Sequence, residues 1–162
     1  MNLMPRIGYG YDVHALGEGR RFVLGGVSIE HSRGCIAHSD GDALIHALCD
    51  ALLGAAALGD IGMHFPDTSE LYRGIDSREL LAATVAMLEN EGYATGNIDV
   101  TVALQIPKIG KYIPEMRRTL AEIMKIDVSQ VSVKATTTER LGFEGREEGV
   151  SVYAAALIYR IS

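Results

Sequence analysis

The segment 43–58 constrains the fold most. It consists of Ala, Leu, Ile, Cys and Gly broken only by His46 and Asp50, with Asp42 at its head. A helix apolar on nearly every side must be surrounded by the rest of its own chain or by another copy. Asp42, His46 and Asp50 recur every fourth residue, so they form one polar stripe on that helix. Unpartnered buried polar groups are costly, so the stripe demands partners. Ser39 reads as the N-cap, with Asp42 three residues on in the box position. Asp50 reads two ways: as the acceptor that orients the His46 ring, or as the partner of a nearby backbone N–H. The segment is too short and too interrupted to span a bilayer.

Around this helix the patterning alternates between periods of two and of 3.6. Ile7, Tyr9, Tyr11 and Val13 alternate with Gly8, Gly10, Asp12 and His14, which predicts a strand over 6–16 with Asp12 and His14 on one face. Short strands are expected over 21–24 and 27–29, about the turn Gly25-Gly26. Segment 60–74 reads as a long loop, a length that in compact domains suggests a lid. Asp76 or Ser77 caps a helix running to about residue 91. A strand over 97–106, a helix over 113–125, strands over 131–136 and 150–161, and a glycine-punctuated loop over 137–149 complete the chain. The fold class is α+β: one domain over 1–162, with a single mixed four-stranded sheet and helices layered on one face. The last strand is apolar on both sides, so the open face of the sheet is expected to pack against copies of itself.

The 162 residues carry a formal charge of −6 and no basic run. That argues against nucleic acid or an anionic membrane as partner, and any phosphate ligand must find its positive field in metal ions or helix ends. Cys35 and Cys49 make no disulfide framework and no C-x-x-C pair exists. The opening Met1-Asn2-Leu3-Met4-Pro5-Arg6 does not read as a leader, so the cytoplasm is expected.

The chemistry centres on Asp12-x-His14 and His46. Two imidazoles and a carboxylate are a common catalytic zinc set with a fourth position open. The competing reading makes His46 a satisfied core histidine and Asp12 a turn residue. His38-Ser39-Asp40-Gly41 at a helix start is either a phosphate seat or an ordinary cap. Thr136-Thr137-Thr138-Glu139 at a strand end offers hydroxyls and a carboxylate to phosphate and a divalent ion, or is plain strand sequence. Lys134 and Arg146 are phosphate partners or surface charges. His31, His64, Tyr72, Tyr93 and Tyr112 read as structural or exposed.

Taken together, Arg6-Ile7-Gly8-x-Gly10-x-Asp12-x-His14, Ala37-His38-Ser39-Asp40-Gly41-Asp42, His46-Ala47-Leu48, Asp50-Ala51-Leu52-Leu53-Gly54-Ala55, Gly59-Asp60-Ile61-Gly62, Phe65-Pro66-Asp67-Thr68, Asp76-Ser77-Arg78 and Lys134-Ala135-Thr136-Thr137-Thr138-Glu139-x-Leu141-Gly142-Phe143-x-Gly145-Arg146 resemble the 2-C-methyl-D-erythritol 2,4-cyclodiphosphate synthase family over nearly the whole chain. The resemblance implies a phosphorus–oxygen lyase of non-mevalonate isoprenoid synthesis. In its reaction the 2-phosphate of a diphosphocytidyl methylerythritol attacks the β-phosphorus and CMP leaves. It implies a homotrimer with active sites between subunits. By motif match, Asp12, His14 and His46 hold one zinc per subunit, and Glu139 helps hold a second divalent ion, magnesium or manganese. His38 and Thr137 stabilise the transition state, with Ser39 beside the former. Asp60 and Gly62 bind methylerythritol, and Phe65, Asp67 and Ser69 belong to the flap. Leu104, Pro107, Lys108 and Gly110 cradle the nucleotide, and Thr136, Phe143 and Arg146 complete the substrate set.

The chain departs from that pattern in places. Leu104 and Ile106 stand where alanines are expected, which narrows the nucleotide segment. Tyr153 replaces a glutamate that some members pair, near the trimer axis, with the arginine matched by Arg146, and it cannot form that ion pair, which leaves prenyl diphosphate binding on the axis an open question. Tyr11 replaces a common phenylalanine. Two other functions compete: a zinc phosphoesterase with Glu139 or Asp60 as base, and a non-catalytic oligomer that binds a ligand on its axis.

Overall fold

The computed structural model describes residues 4–161. Met1, Asn2 and Leu3, which belong to the opening read above as no leader, lie outside them, as does Ser162. In chain order the elements are β1 (Arg6–Glu18), β2 (Phe22–Leu24), β3 (Val27–Ile29), β4 (Arg33–Cys35), α1 (Ala43–Ala55), α2 (Ile61–His64), α3 (Ser77–Asn90), β5 (Tyr93–Ala103), α4 (Ile113–Met124), β6 (Val131–Thr136), α5 (Gly142–Gly145) and β7 (Gly149–Arg160). The mixed sheet and helices of the expected α+β class are present, but the sheet has five strands, in the order β4-β1-β7-β5-β6, not four. The added strand is β4, antiparallel to the end of β1 through Leu16–Cys35 and Glu18–Arg33 pairs. Three residues with a central glycine carry no alternation, so β4 leaves no periodic signal. β1, β7 and β5 are antiparallel neighbours, and β6 runs parallel to β5.

Other boundaries also move. α1 stops at Ala55 rather than Leu58, and β5 begins at Tyr93, passing Gly96 with a register shift between Thr95 and Asn97. The long loops hold α2, a 3-10 turn at Glu70–Tyr72, and α5. The helix cap is Asp42 itself, not Ser39. Its Oδ1 accepts from Ile45 N at 3.0 Å and Gly25 N at 2.9 Å, and its Oδ2 from Gly26 N at 2.7 Å. Gly25 and Gly26 both take positive φ, 60° and 73°, in the turn of the β2–β3 hairpin, a primed turn that exposes two N–H groups to one carboxylate. One buried side chain thus caps α1 and fixes that hairpin against it.

The inward face of β1 meets α1 at unusually short range. A Cβ on Gly8 would lie 1.8 Å from Ala51 O, and one on Gly10 1.9 Å from Ala47 O. Only hydrogen at these positions lets the strand lie against the helix backbone. The next inward residues are Asp12 and His14, paired across the sheet with Val152 and Val150. The strand face predicted to carry Asp12 and His14 is therefore the helix-covered one. The opposite face carries Ile7, 78% exposed, Tyr9, 66%, Tyr11, Val13 and Tyr153. Such a contiguous apolar patch marks an interaction surface. No helix among the described residues is long and apolar enough to cross a membrane.

Candidate metal centre

Three of the predicted residues meet. Asp12 Oδ2 is 2.9 Å from His14 Nε2 and 3.3 Å from His46 Nδ1, and the two ring nitrogens are 3.2 Å apart. The period of two on β1 supplies Asp12 and His14, and the close glycine contact brings the first turn of α1, with His46, over them. Asp12 Oδ2 is buried with no hydrogen-bond partner, the one such orphaned side-chain atom among the described residues, while the two ring nitrogens meet at hydrogen-bonding distance. An orphaned carboxylate oxygen and two imidazole nitrogens converging on one point fit a divalent cation with a tetrahedral preference, three protein ligands and one open position. Burial pushes the Asp12 carboxyl up, but the two imidazoles facing it pull harder and hold it at about 2. Burial pushes His46 down, and the Asp12 carboxylate outweighs that and raises it.

The rest of the stripe has other work. Asp50 Oδ1 accepts from Ile61 N at 2.7 Å. It therefore anchors α2 rather than orienting His46, the second of the two alternatives. The Nε2 of His46 is met instead by Ser77 Oγ at 3.0 Å and Ser39 Oγ at 3.2 Å. Ser77 was visible in the sequence only as a helix-start residue. Its signal was a small hydroxyl at a position with no charge or cap role, once Asp76 takes the cap by accepting from Arg78 N at 2.9 Å.

A cleft of about 600 Å³ opens beside His14 and His46. His38, Ser39, Gly62, Phe65 and Asp67 line it, as the motif match implies, together with Ile36, Tyr72, Ile75 and Leu80, which carried no signal. The Nε2 of His38 is 3.2 Å from Ser69 O, which places Ser69 behind the rim. Asp60 caps α2 through Met63 N at 2.9 Å and does not line the cleft.

Leu104, Pro107, Lys108, Gly110, Thr136, Thr137, Glu139, Phe143 and Arg146 do not line this cleft. Val13, Ser151, Ala103 and Thr136 form one row across β1, β7, β5 and β6. Three strand spacings separate the ends of that row, about 14 Å. The metal cluster and the threonine loop thus share one end of the sheet but not one pocket. In that loop Thr137 Oγ1 accepts from Glu139 N at 3.3 Å, and Glu139 and Arg140 both take left-handed φ. Lys134 pairs with Asp99 at 2.6 Å and Arg146 with Glu148 at 2.9 Å. Leu104 is buried, with its N–H on Thr136 O at 2.9 Å.

A YgbB family model matches residues 5–159. The chain is 58% identical over 153 residues to a protein of Porphyromonas gingivalis named 2-C-methyl-D-erythritol 2,4-cyclodiphosphate synthase, covering 94% of each. A protein of the same name from Desulfitobacterium hafniense is 58% identical over 158 residues, 98% of this chain and all of that one. Among solved structures, the bifunctional IspDF of Campylobacter jejuni superposes with a TM-score of 0.96 at 41% identity, over 99% of this chain and 44% of that longer one. A CDP complex of IspF from Plasmodium falciparum gives 0.86 at 32% identity, covering all of both chains.

Proposed function

The chain belongs to the YgbB family, and on that footing we propose that the cleft beside Asp12, His14 and His46 is half of its active site. The reaction is the cyclisation of 4-diphosphocytidyl-2-C-methyl-D-erythritol 2-phosphate to 2-C-methyl-D-erythritol 2,4-cyclodiphosphate with release of CMP, a step of non-mevalonate isoprenoid precursor synthesis. An oxygen of the 2-phosphate bonds to the β-phosphorus, and the bond from that phosphorus to the α-phosphate oxygen breaks. That makes the chain a phosphorus–oxygen lyase. A soluble cytoplasmic enzyme accords with such a substrate.

The observation that carries the reading is the orphaned Asp12 Oδ2 with two imidazole nitrogens around it. Asp12, His14 and His46 would hold zinc, and Glu139 would help hold magnesium or manganese. A divalent ion bound there supplies Lewis acidity and a template for the diphosphate, which an acidic chain cannot supply by itself. The protein's own residues orient and enclose the substrate. His38, its Nε2–H donated to the Ser69 carbonyl, and the Ser39 hydroxyl stand on the cleft rim. Gly62 opens the floor for the methylerythritol, with Asp60 fixing its turn. Phe65 and Asp67 stand on the segment that would cover it and exclude water, which favours ring closure over hydrolysis.

Thr136, Thr137, Glu139, Phe143 and Arg146, with the nucleotide segment Leu104, Pro107, Lys108 and Gly110, form the other half. Thr136 itself stands three strands from Val13, about 14 Å, too far for its loop to close around the same diphosphate as the metal cluster of its own chain. A homotrimer resolves this: a neighbouring copy brings its threonine loop to this cleft, with the exposed Ile7, Tyr9 and Tyr153 face at the interface. Phosphoryl transfer then rests on positioning and charge stabilisation.

Phosphorus NMR of the reaction tests this. Cyclic diphosphate and CMP should appear with added zinc and magnesium and stop after chelation. Two linear phosphates with no ring would instead establish the phosphoesterase reading.

A further inference from the structure

We propose that Asp40 and Ser77 are positioning residues that hold His46 as its Nε2–H tautomer, with the Nδ1 lone pair turned to Asp12 and His14. The inference rests on the reading of those three residues as metal ligands. It follows from counting protons along a buried chain of contacts. The Asp40 carboxylate receives three donors: Asp42 N at 3.1 Å and the Ser77 hydroxyl on Oδ1, and Ser77 N at 2.9 Å on Oδ2. A carboxylate accepts only, so the single proton of Ser77 Oγ is committed to Asp40. Ser77 Oγ then has only lone pairs to offer the Nε2 of His46 at 3.0 Å. That nitrogen must therefore carry the proton, and a neutral ring leaves Nδ1 bare.

Ser77 is fully buried, so no water competes for this contact. The ring is also held where it sits by backbone: Asp40 N bonds Ile75 O at 3.2 Å, and His46 N bonds Asp42 O at 3.0 Å. The loop before α1, the start of α3 and the first turn of α1 thus meet at one imidazole. Ser39 adds a second consequence. Its Oγ lies 3.2 Å from the same Nε2–H and 3.3 Å from Gly41 N, both donors. Its own proton is left to point into the cleft, toward a substrate oxygen.

Outer partners of this kind commonly change metal affinity 10–100-fold. The test uses the full chain loaded with zinc and labelled with nitrogen-15 histidine. The native protein should show one slowly exchanging His46 Nε2–H proton. S77A should lose that slow exchange and bind zinc about 10–100-fold more weakly in chelator competition. A His46 proton on Nδ1, or zinc binding by S77A within about twofold of native, overturns the proposal. Should S77A fail to fold, S77C, which keeps the size but weakens the acceptor, takes its place, and zinc binding within about twofold of native then overturns the proposal. Failure of the cyclase reading has a different signature: the native chain would form no cyclic product, whatever the tautomer of His46.

Discussion

Gly10 of β1 and Ala47 of α1 are in backbone contact: a Cβ on Gly10 would stand 1.9 Å from Ala47 O and 2.8 Å from Ala51 N. Nothing at that point can yield, because both atoms belong to the helix ladder. Gly10→Ala should therefore cost about 3 kcal/mol or more, at the upper end of overpacking substitutions. It should also push α1 away from β1 and with it His46 from Asp12. Denaturant titration of the metal-free chain reads the first effect, and zinc affinity the second. A loss below about 1 kcal/mol would mean that the strand and helix are not so tightly apposed.

Within one stripe, Asp42 and His46 should separate cleanly by readout. Asp42→Ala would orphan the N–H groups of Gly25, Gly26 and Ile45 in a buried place. Each such group costs about 1–3 kcal/mol, so a loss of about 3–5 kcal/mol in stability is expected, with zinc stoichiometry in the folded fraction intact. His46→Ala should do the reverse, abolishing zinc binding with a smaller loss of stability. Denaturation curves beside metal analysis compare the two, and equal zinc content in His46→Ala would refute its role as ligand.

That contrast also shows what the sequence could disclose. The four-residue spacing placed Asp42, His46 and Asp50 on one face, but three different tasks lay behind identical spacing. Which task fell to which residue depended on partners distant in the chain: the Gly25-Gly26 turn, Asp12 and Ile61 N. The β1 alternation was legible because a period of two determines facing. Which face meets the helix was not, because glycines look permissive rather than buried in a sequence. Asp40 and Ser77 are 37 positions apart, and no local pattern joins them. β4 is invisible for a simpler reason, since three residues cannot display a period.

The metal-free pair Asp12–His46 gives a pH dependence of definite sign. Asp12 falls from 3.8 to about 2 on folding, so its stabilisation is present above 3.8 and is lost as pH drops toward 2. His46 is raised above 6.5, so its stabilisation is complete below 6.5 and is lost as pH climbs through the raised value. Zinc needs the His46 proton removed, so it replaces that lost stability at high pH. The rise in Tm on adding zinc should be small near pH 5.5 and several degrees larger near pH 8, measured by thermal melts at both. The same rise at both pH values would count against a proton–metal exchange at this ring.

Two inactive variants should restore activity together if neighbouring copies share each site. Asp12→Ala removes the metal half and Glu139→Gln the loop half, and either alone should lower turnover by about 100-fold or more. Val13, beside Asp12, and Thr136, at the head of the loop that carries Glu139, stand at opposite ends of a four-strand row, about 14 Å apart within one chain. Co-refolded in equal amounts, the variants assort at random in a cyclic trimer. One subunit's intact metal half then faces another's intact loop in roughly a quarter of the interfaces. The mixture should accordingly recover about a quarter of native turnover, while each variant refolded alone stays at background. Zinc content should follow the Glu139→Gln subunits only. If the mixture is as inactive as its components while size measurements confirm mixed trimers, each chain closes its own site, and the division of labour between subunits is wrong.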